Sequence, residues 1–280
     1  MAVRIVTDSS ADLPQDLARQ WDITVVPCNV VLGDQTYKDG VDLFPSEFYR
    51  RLAASPRLPT TSQPSAADFQ ALYQQLLGQG HQVVSIHLSS KLSGTVSTAE
   101  QARKSLGSEA AMSVAVVDSR VTSLSLGLLS VAAAQQAGQS NSAPELATWV
   151  QALLPRCRCF FLLDTLEYLQ KGGRIGKAQA FVGSLLNVKP ILTIRDGEAH
   201  PVERLRNRQR AVARLVELAQ ELKPVSHLGV VYSTEPEQAE ALRRALTGLQ
   251  PEEQIVTSQF GATLGTYLGP RALGVALIQG

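Results

Sequence analysis

Three short apolar runs, each ending in small polar residues ahead of a helical pattern, restrict the fold of this chain more than any other feature. Val3-Arg4-Ile5-Val6 runs into Thr7-Asp8-Ser9-Ser10, Val83-Val84-Ser85-Ile86-His87-Leu88 into Ser89-Ser90, and Val114-Ala115-Val116-Val117 into Asp118-Ser119-Arg120. Runs of this length and β-branched content read as buried strands. Strand–helix–strand alternation at this spacing implies right-handed crossovers and a parallel sheet with helices on both faces. In such sheets ligands bind in the crevice outside the carboxyl ends of the strands, which is where these hydroxyls fall.

The sharpest junction is Ser89-Ser90-Lys91-Leu92-Ser93-Gly94-Thr95, after which Val96, Ala99 and Leu106 share one helical face. The first turn of a helix leaves backbone N–H groups without partners, and the macrodipole makes that end partly positive. Gly94 lets a ligand approach the backbone, while Ser93 and Thr95 add hydroxyl donors. The result is an anion cradle built from neutral donors. No Gly-Lys-Ser/Thr follows, so it is not a nucleotide P-loop, and a carboxylate fits better than a triphosphate. The same residue types also serve ordinary helix capping, so the junction alone does not define a site. A second segment, Leu58-Pro59-Thr60-Thr61-Ser62-Gln63-Pro64-Ser65, offers Ser65 as an N-cap with Asp68 as its capping-box partner. Phe69, Leu72, Tyr73, Leu76 and Leu77 then form an apolar stripe. Thr61 and Ser62 are thereby expected just ahead of another helix start. Read by itself, the segment is also a plain Pro-containing turn.

At 280 residues, 44% hydrophobic and 18% charged, the chain has the length for two domains and the make-up of an ordinary globular protein. A net charge of +1 argues against a general nucleic-acid binder. No apolar run is long enough to span a bilayer, and the start at Met1 reads as a first strand rather than a leader, so the expected location is cytoplasmic. Cys28, Cys157 and Cys159 offer no disulfide framework or zinc spacing, and no two of the four histidines form a helical metal pair. Between Lys171 and Arg214 ten basic residues face three acids, a local +7 that reads as a solvated surface or as a landing site for an acidic partner or a phosphate. A turn-rich break, Gln139-Ser140-Asn141-Ser142-Ala143-Pro144, and the helix after it suggest a boundary, with domains expected at 1–155 and 156–280. Beyond it, Val188 to Ile194, the Asp196-Gly197 turn and Glu198 to Leu205 read as a β-hairpin, and the later helices and strands point to a mixed sheet.

Several motifs together carry a resemblance. They are Val6-Thr7-Asp8-Ser9-Ser10-Ala11-Asp12-Leu13-Pro14, Thr61-Ser62-Gln63-Pro64-Ser65, Ser89 through Thr95 and Asp118-Ser119-Arg120. Further on come Asp164-Thr165-Leu166-Glu167-Tyr168-Leu169, Lys171-Gly172-Gly173-Arg174-Ile175-Gly176-Lys177, Leu186-Asn187-Val188-Lys189-Pro190-Ile191-Leu192 and Gly269-Pro270. In this order the chain resembles the DegV family, which includes the fatty-acid-binding subunits of bacterial fatty acid kinase. The resemblance implies an α/β protein of two domains, an N-terminal three-layer α/β/α domain with a parallel sheet and a C-terminal domain with a mixed sheet. It implies a fatty acid, such as palmitate, stearate or oleate, in a tunnel between them. It also implies a carboxylate held by Ser93 and Gly94 with help from Thr61 and Ser62. Thr95 and Tyr267 complete the expected ligand set. Where the family often reads Gly-Thr-His-Thr-Gly-Pro-Gly, this chain has Gly265-Thr266-Tyr267-Leu268-Gly269-Pro270-Arg271, so a neutral phenol replaces an imidazole.

The resemblance further implies a carrier without catalysis of its own. A separate fatty acid kinase catalytic subunit phosphorylates the bound carboxylate, and an acyltransferase at the membrane receives the acyl group for phospholipid synthesis. Arg174, Arg204 and Arg206 are candidates for kinase docking or phosphate stabilisation, with surface ion pairing as the plain alternative. Two other readings stay open at this point. One is a serine-dependent acyl hydrolase or acyltransferase with Ser93 as nucleophile and His87 as base, although the Gly-x-Ser-x-Gly elbow is absent. The other is a lipid-responsive regulatory protein.

Overall fold

The computed structural model describes residues 2–182 and 188–280. Met1 and, within the family-like motif, Leu186 and Asn187 lie outside the described residues. In chain order the first half comprises β1 (Val3–Asp8), α1 (Gln15–Gln20), β2 (Ile23–Val26), β3 (Asn29–Leu32), β4 (Gln35–Lys38), α2 (Pro45–Ala54), β5 (Thr60–Ser62) and α3 (Ala66–Gly78). Then follow β6 (Gln82–His87), α4 (Thr95–Ser105), α5 (Ser108–Ala111), β7 (Val114–Asp118), α6 (Leu124–Ala137) and α7 (Ala143–Leu153). The second half adds β8 (Cys157–Leu162), α8 (Glu167–Lys171), β9 (Lys189–Arg195), β10 (Glu198–Leu205) and α9 (Arg208–Gln220). It ends with β11 (Val225–Tyr232), α10 (Pro236–Ala245), β12 (Val256–Gln259), α11 (Ala262–Leu268) and β13 (Leu273–Gln279).

The apolar runs form a four-stranded parallel sheet in the order β2-β1-β6-β7, with Ile5 opposite both Ile23 and Val84. The second half builds a six-stranded mixed sheet, β10-β9-β8-β13-β11-β12, in which only the β11–β12 pair is parallel. The chain is thus a two-domain α/β protein with a parallel and a mixed sheet. A third, antiparallel sheet of β4-β3-β5 was not expected, and it changes one assignment. Thr61 and Ser62 lie on β5, paired with Val30 and Asn29 of β3, rather than in a turn ahead of a helix. Three polar residues give no alternation to read, and their partner strand lies far away in sequence. Ser65 does cap α3, accepting from the Asp68 amide at 3.1 Å while Asp68 accepts from the Ser65 amide at 3.1 Å.

Helix α6 is the hinge of the packing. Every residue from Leu124 to Ala133 is buried, and the helix touches β1 and β6 of one sheet and β8, β11 and β13 of the other. A helix apolar on all sides is stable only in such a place. Its entry is forced, with Ser123 at φ 57°. Burying Leu124, Leu126, Leu128 and Leu129, at roughly 1.5–3 kcal/mol each, outweighs the roughly 1–3 kcal/mol that such a backbone costs.

A second tie between the halves runs through buried carboxylates. Asp12 accepts from the Gly261 amide at 2.8 Å and from the Ser123 hydroxyl at 2.7 Å. Asp39 accepts from the amides of Ala262 and Thr263 at 2.9 and 3.1 Å, capping α11. Burial pushes both carboxyls above their ordinary range, against the pull of those hydrogen bonds. A raised folded value means that the native state keeps its proton where the unfolded chain has lost it, so this contribution to stability falls as pH rises through the interval. Asp12→Asn, tolerated at the left-handed φ of 46°, removes the titration. The stability of the wild type minus that of Asp12→Asn, from urea midpoints, is expected to shrink as pH rises from about 4 toward neutrality. A difference that grows with pH contradicts the assignment.

Candidate functional site

A partly enclosed cavity lies between the halves, with about 830 Å³ of free space when its open mouth is included. Its walls are mainly apolar, with Leu88, Leu92, Phe161, Leu169, Leu192, Ile194, Leu264 and Leu268 among them. Polar groups gather from three elements: Thr61, Ser62 and Gln63 at the end of β5, Ser93 ahead of α4, and Tyr267 on α11, with Arg174 beside them.

The Ser93 turn is fixed from below. The amides of Leu92 and Ser93 both donate to the Ser89 carbonyl, at 2.9 and 3.2 Å. The Ser89 hydroxyl donates to the Gly197 carbonyl at 2.6 Å, docking the β9–β10 hairpin on this turn. Thr95, wholly buried, holds Ser93 through a 2.9 Å hydroxyl–hydroxyl hydrogen bond, and its amide donates to the Ser93 hydroxyl at 3.3 Å. Thr95 therefore stands behind Ser93 rather than on the cavity wall. Among the described residues no acceptor meets the amides of Gly94, Val96 or Ser97. This is the partly positive helix end expected from the sequence. Gln63, not singled out beforehand, covers Gly94 so closely that a Cβ there would sit 3.0 Å from its side-chain amide. Its place directly after Thr61-Ser62 was the available signal.

Tyr267 is held on three sides. Its hydroxyl shares a 2.6 Å hydrogen bond with Thr61, and the Arg174 guanidinium stacks 5.1 Å from its ring centre. Gly172 leaves room for the ring, since a Cβ on it would fall 2.5 Å from the Tyr267 ring. Arg174 itself donates to the carbonyls of Gly172 and Leu92, at 2.7 and 3.3 Å.

Other expected residues sit elsewhere. Arg204 stacks on the Phe181 ring at 4.6 Å and Arg206 is exposed; neither lines the cavity. The basic segment is neutralised only in part. Lys171 pairs with Glu167, Lys189 and Arg208 with Asp164, Arg208 also with Glu235, and Arg214 with Glu203, Glu217 and Glu221. All of those acids but Glu203 lie outside the stretch from Lys171 to Arg214. His87 cannot serve Ser93 as a base. It is fully buried, with its ring nitrogens 2.9 Å from Asp8 and 2.7 Å from Ser85. The three cysteines are buried and unpaired, and desolvation pushes Cys157 and Cys159 up to about 12. No cluster of metal-ligand type occurs among the described residues.

The model of the DegV family matches residues 2–280. The chain belongs to the DegV family. Protein DegV of Bacillus subtilis is 35% identical over 279 residues, covering 98% of each chain. The solved structure of that DegV, described as a fatty acid binding protein, superposes with a TM-score of 0.89 over the whole of both chains. A DegV family protein from Thermus thermophilus, reported for its fatty acid binding, is 32% identical with a TM-score of 0.91, again over both whole chains. A stearic acid-binding protein from Eubacterium ventriosum is 27% identical with a TM-score of 0.86, over 99% and 98% of the two chains.

The geometry around Tyr267 predicts an order of effects. Tyr267→Phe keeps the ring and removes one hydrogen bond, a loss of about 0.5–1.5 kcal/mol. Gly172→Ala forces the ring out of place and is expected to destabilise more in urea titrations. The reverse order would contradict the packing described.

Proposed function

We propose that this chain is a cytoplasmic carrier that binds one long-chain fatty acid, such as palmitate, stearate or oleate, and does no chemistry on it. The observation that carries this reading is a single cavity with apolar walls and neutral donors at one end. The acyl chain gains about 0.8 kcal/mol per buried methylene, so ten of them supply roughly 8 kcal/mol, the scale of micromolar binding before association costs. The carboxylate is matched by the Ser93 hydroxyl, the free amides that open α4, and the hydroxyls of Thr61 and Tyr267. Ser62 and Gln63 complete the rim. Charge-assisted hydrogen bonds of this kind offset the loss of water around a buried anion. The fatty-acid binding reported for the family members above supports the same ligand class. The hydrolase reading lacks a base, because both nitrogens of His87 are engaged elsewhere.

The finer role is to present the carboxylate to a separate kinase subunit for acyl-phosphate formation and to pass the product to a membrane acyltransferase. Arg174, at the cavity and on the surface together, is the residue best situated to meet the kinase or the new phosphate. Arg204 and Arg206 then belong to the docking surface rather than the ligand site. We place the boundary between the two domains at 155/156, ahead of β8.

Denaturing extraction and mass spectrometry of the purified protein test the reading. A stoichiometric fatty acid is expected in the wild type, with strong depletion in Ser93→Ala. Arg174→Glu is expected to retain the lipid and lower acyl-phosphate formation with a kinase partner. No lipid in any sample, and no uptake of added oleate or palmitate, would refute the carrier assignment; unchanged turnover in Arg174→Glu would remove the docking role.

A further inference from the structure

Two hydroxyls on the cavity wall lack a well-formed hydrogen bond. Thr122 and Thr263 are each 5% exposed and both line the cavity, yet neither Oγ1 has a hydrogen-bond partner among the described residues. Buried hydroxyls are paired in native structures because an unpaired one loses its water without compensation. Valine has nearly the same shape, so a wall that met only methylenes would gain nothing from either hydroxyl.

Thr122 is the stronger case, because its position is imposed. Its turn after β7 contains two non-glycine residues in left-handed conformations, Arg120 at φ 55° and Ser123 at φ 57°. The turn is pinned on both sides, the Val121 carbonyl accepting from the Ser89 amide at 2.9 Å and the Ser123 amide donating to the Ser10 carbonyl at 2.8 Å. Thr122 is therefore held against the cavity. Thr263 lies four residues before Tyr267 on α11, on the same face and about 6 Å along the axis from it. Its amide is fixed by Asp39, and its hydroxyl is close enough to the Asp39 carboxylate and the Cys28 thiol to pull both down against their burial, so it is only partly orphaned. Thr263 thus stands about one helical turn from Tyr267, and Thr122 lines the same cavity from the turn after β7.

Resting on the fatty-acid reading above, we propose that the preferred ligand is an oxygenated long-chain fatty acid, with a hydroxyl or keto group part-way along its chain. That oxygen bonds to Thr122, with Thr263 as the second partner. A site built to pair a ligand hydroxyl discriminates against the analogue that lacks it, because the site's own polar groups are then left unmatched.

The test is calorimetric titration of the delipidated full chain with stearate and with monohydroxystearates whose hydroxyl is stepped along the chain. One positional isomer is expected to bind about three- to ten-fold tighter than stearate. Thr122→Val is expected to bring that ratio toward one, Thr263→Val to reduce it, and Thr122→Ser to retain it, which also controls for folding. If no isomer exceeds stearate, or if the preference survives Thr122→Val, the hydroxyls serve an ordered water only and the proposal is overturned. If neither stearate nor any hydroxystearate binds, it is the fatty-acid reading itself that fails.

Discussion

The cavity exists because α11 is held against the N-terminal half by two buried carboxyl groups. Asp12 and Asp39 take the amides of Gly261, Ala262 and Thr263, which a seven-residue helix would otherwise leave unpaired. The helix so anchored carries Thr263, Leu264, Tyr267 and Leu268, and these form one wall of the cavity. The opposite supports are β5 and the turn ahead of α4, both belonging to the first half. No single sheet contains the site. It is assembled where α6 and α11 bring the two sheets together, so its geometry depends on tertiary ties more than on local structure.

The chemistry of the polar end follows from using neutral donors. A fixed cation in a narrow apolar cavity would itself need a partner when no ligand is bound. Hydroxyls and helix-terminal amides do not, and the Thr61–Tyr267 hydrogen bond shows how two of them satisfy each other. Tyr267 where the family often has histidine is therefore a coherent variation. Gly172 makes space for the ring, Arg174 stacks on it, and Thr61 shares a hydrogen bond with its hydroxyl. The positive charge of Arg174 stays at the rim, tied to the carbonyls of Gly172 and Leu92.

Much of this was legible in the sequence because it is local. The β-branched runs gave the parallel strands, Ser65 with Asp68 gave a capping box, and Asp196-Gly197 gave the hairpin turn. The Ser93-Gly94-Thr95 junction was readable as a helix start facing the crevice. What was not legible depends on distant partners. β5 is a strand only because β3 pairs with it. α11, with Gly265 and two threonines among its seven residues, has weak helical preference and is stabilised by Asp12 and Asp39 from the other end of the chain. The basic segment looked like an open face because Asp164, Glu167, Glu217, Glu221 and Glu235, which neutralise part of it, lie outside that stretch. His87 has a structural role instead of a catalytic one, because its partners Asp8 and Ser85 come together only in three dimensions.

The measurement that bears most directly on the central claim is a crystal structure of the protein with stearate bound. The account predicts the carboxylate about 2.5–3.2 Å from the Ser93 hydroxyl and the amides that open α4, with Tyr267 turned from Thr61 alone to the ligand, and the acyl chain running along α11 past Thr263. A carboxylate at the opposite end of the cavity, with methylenes against Ser93, would contradict it.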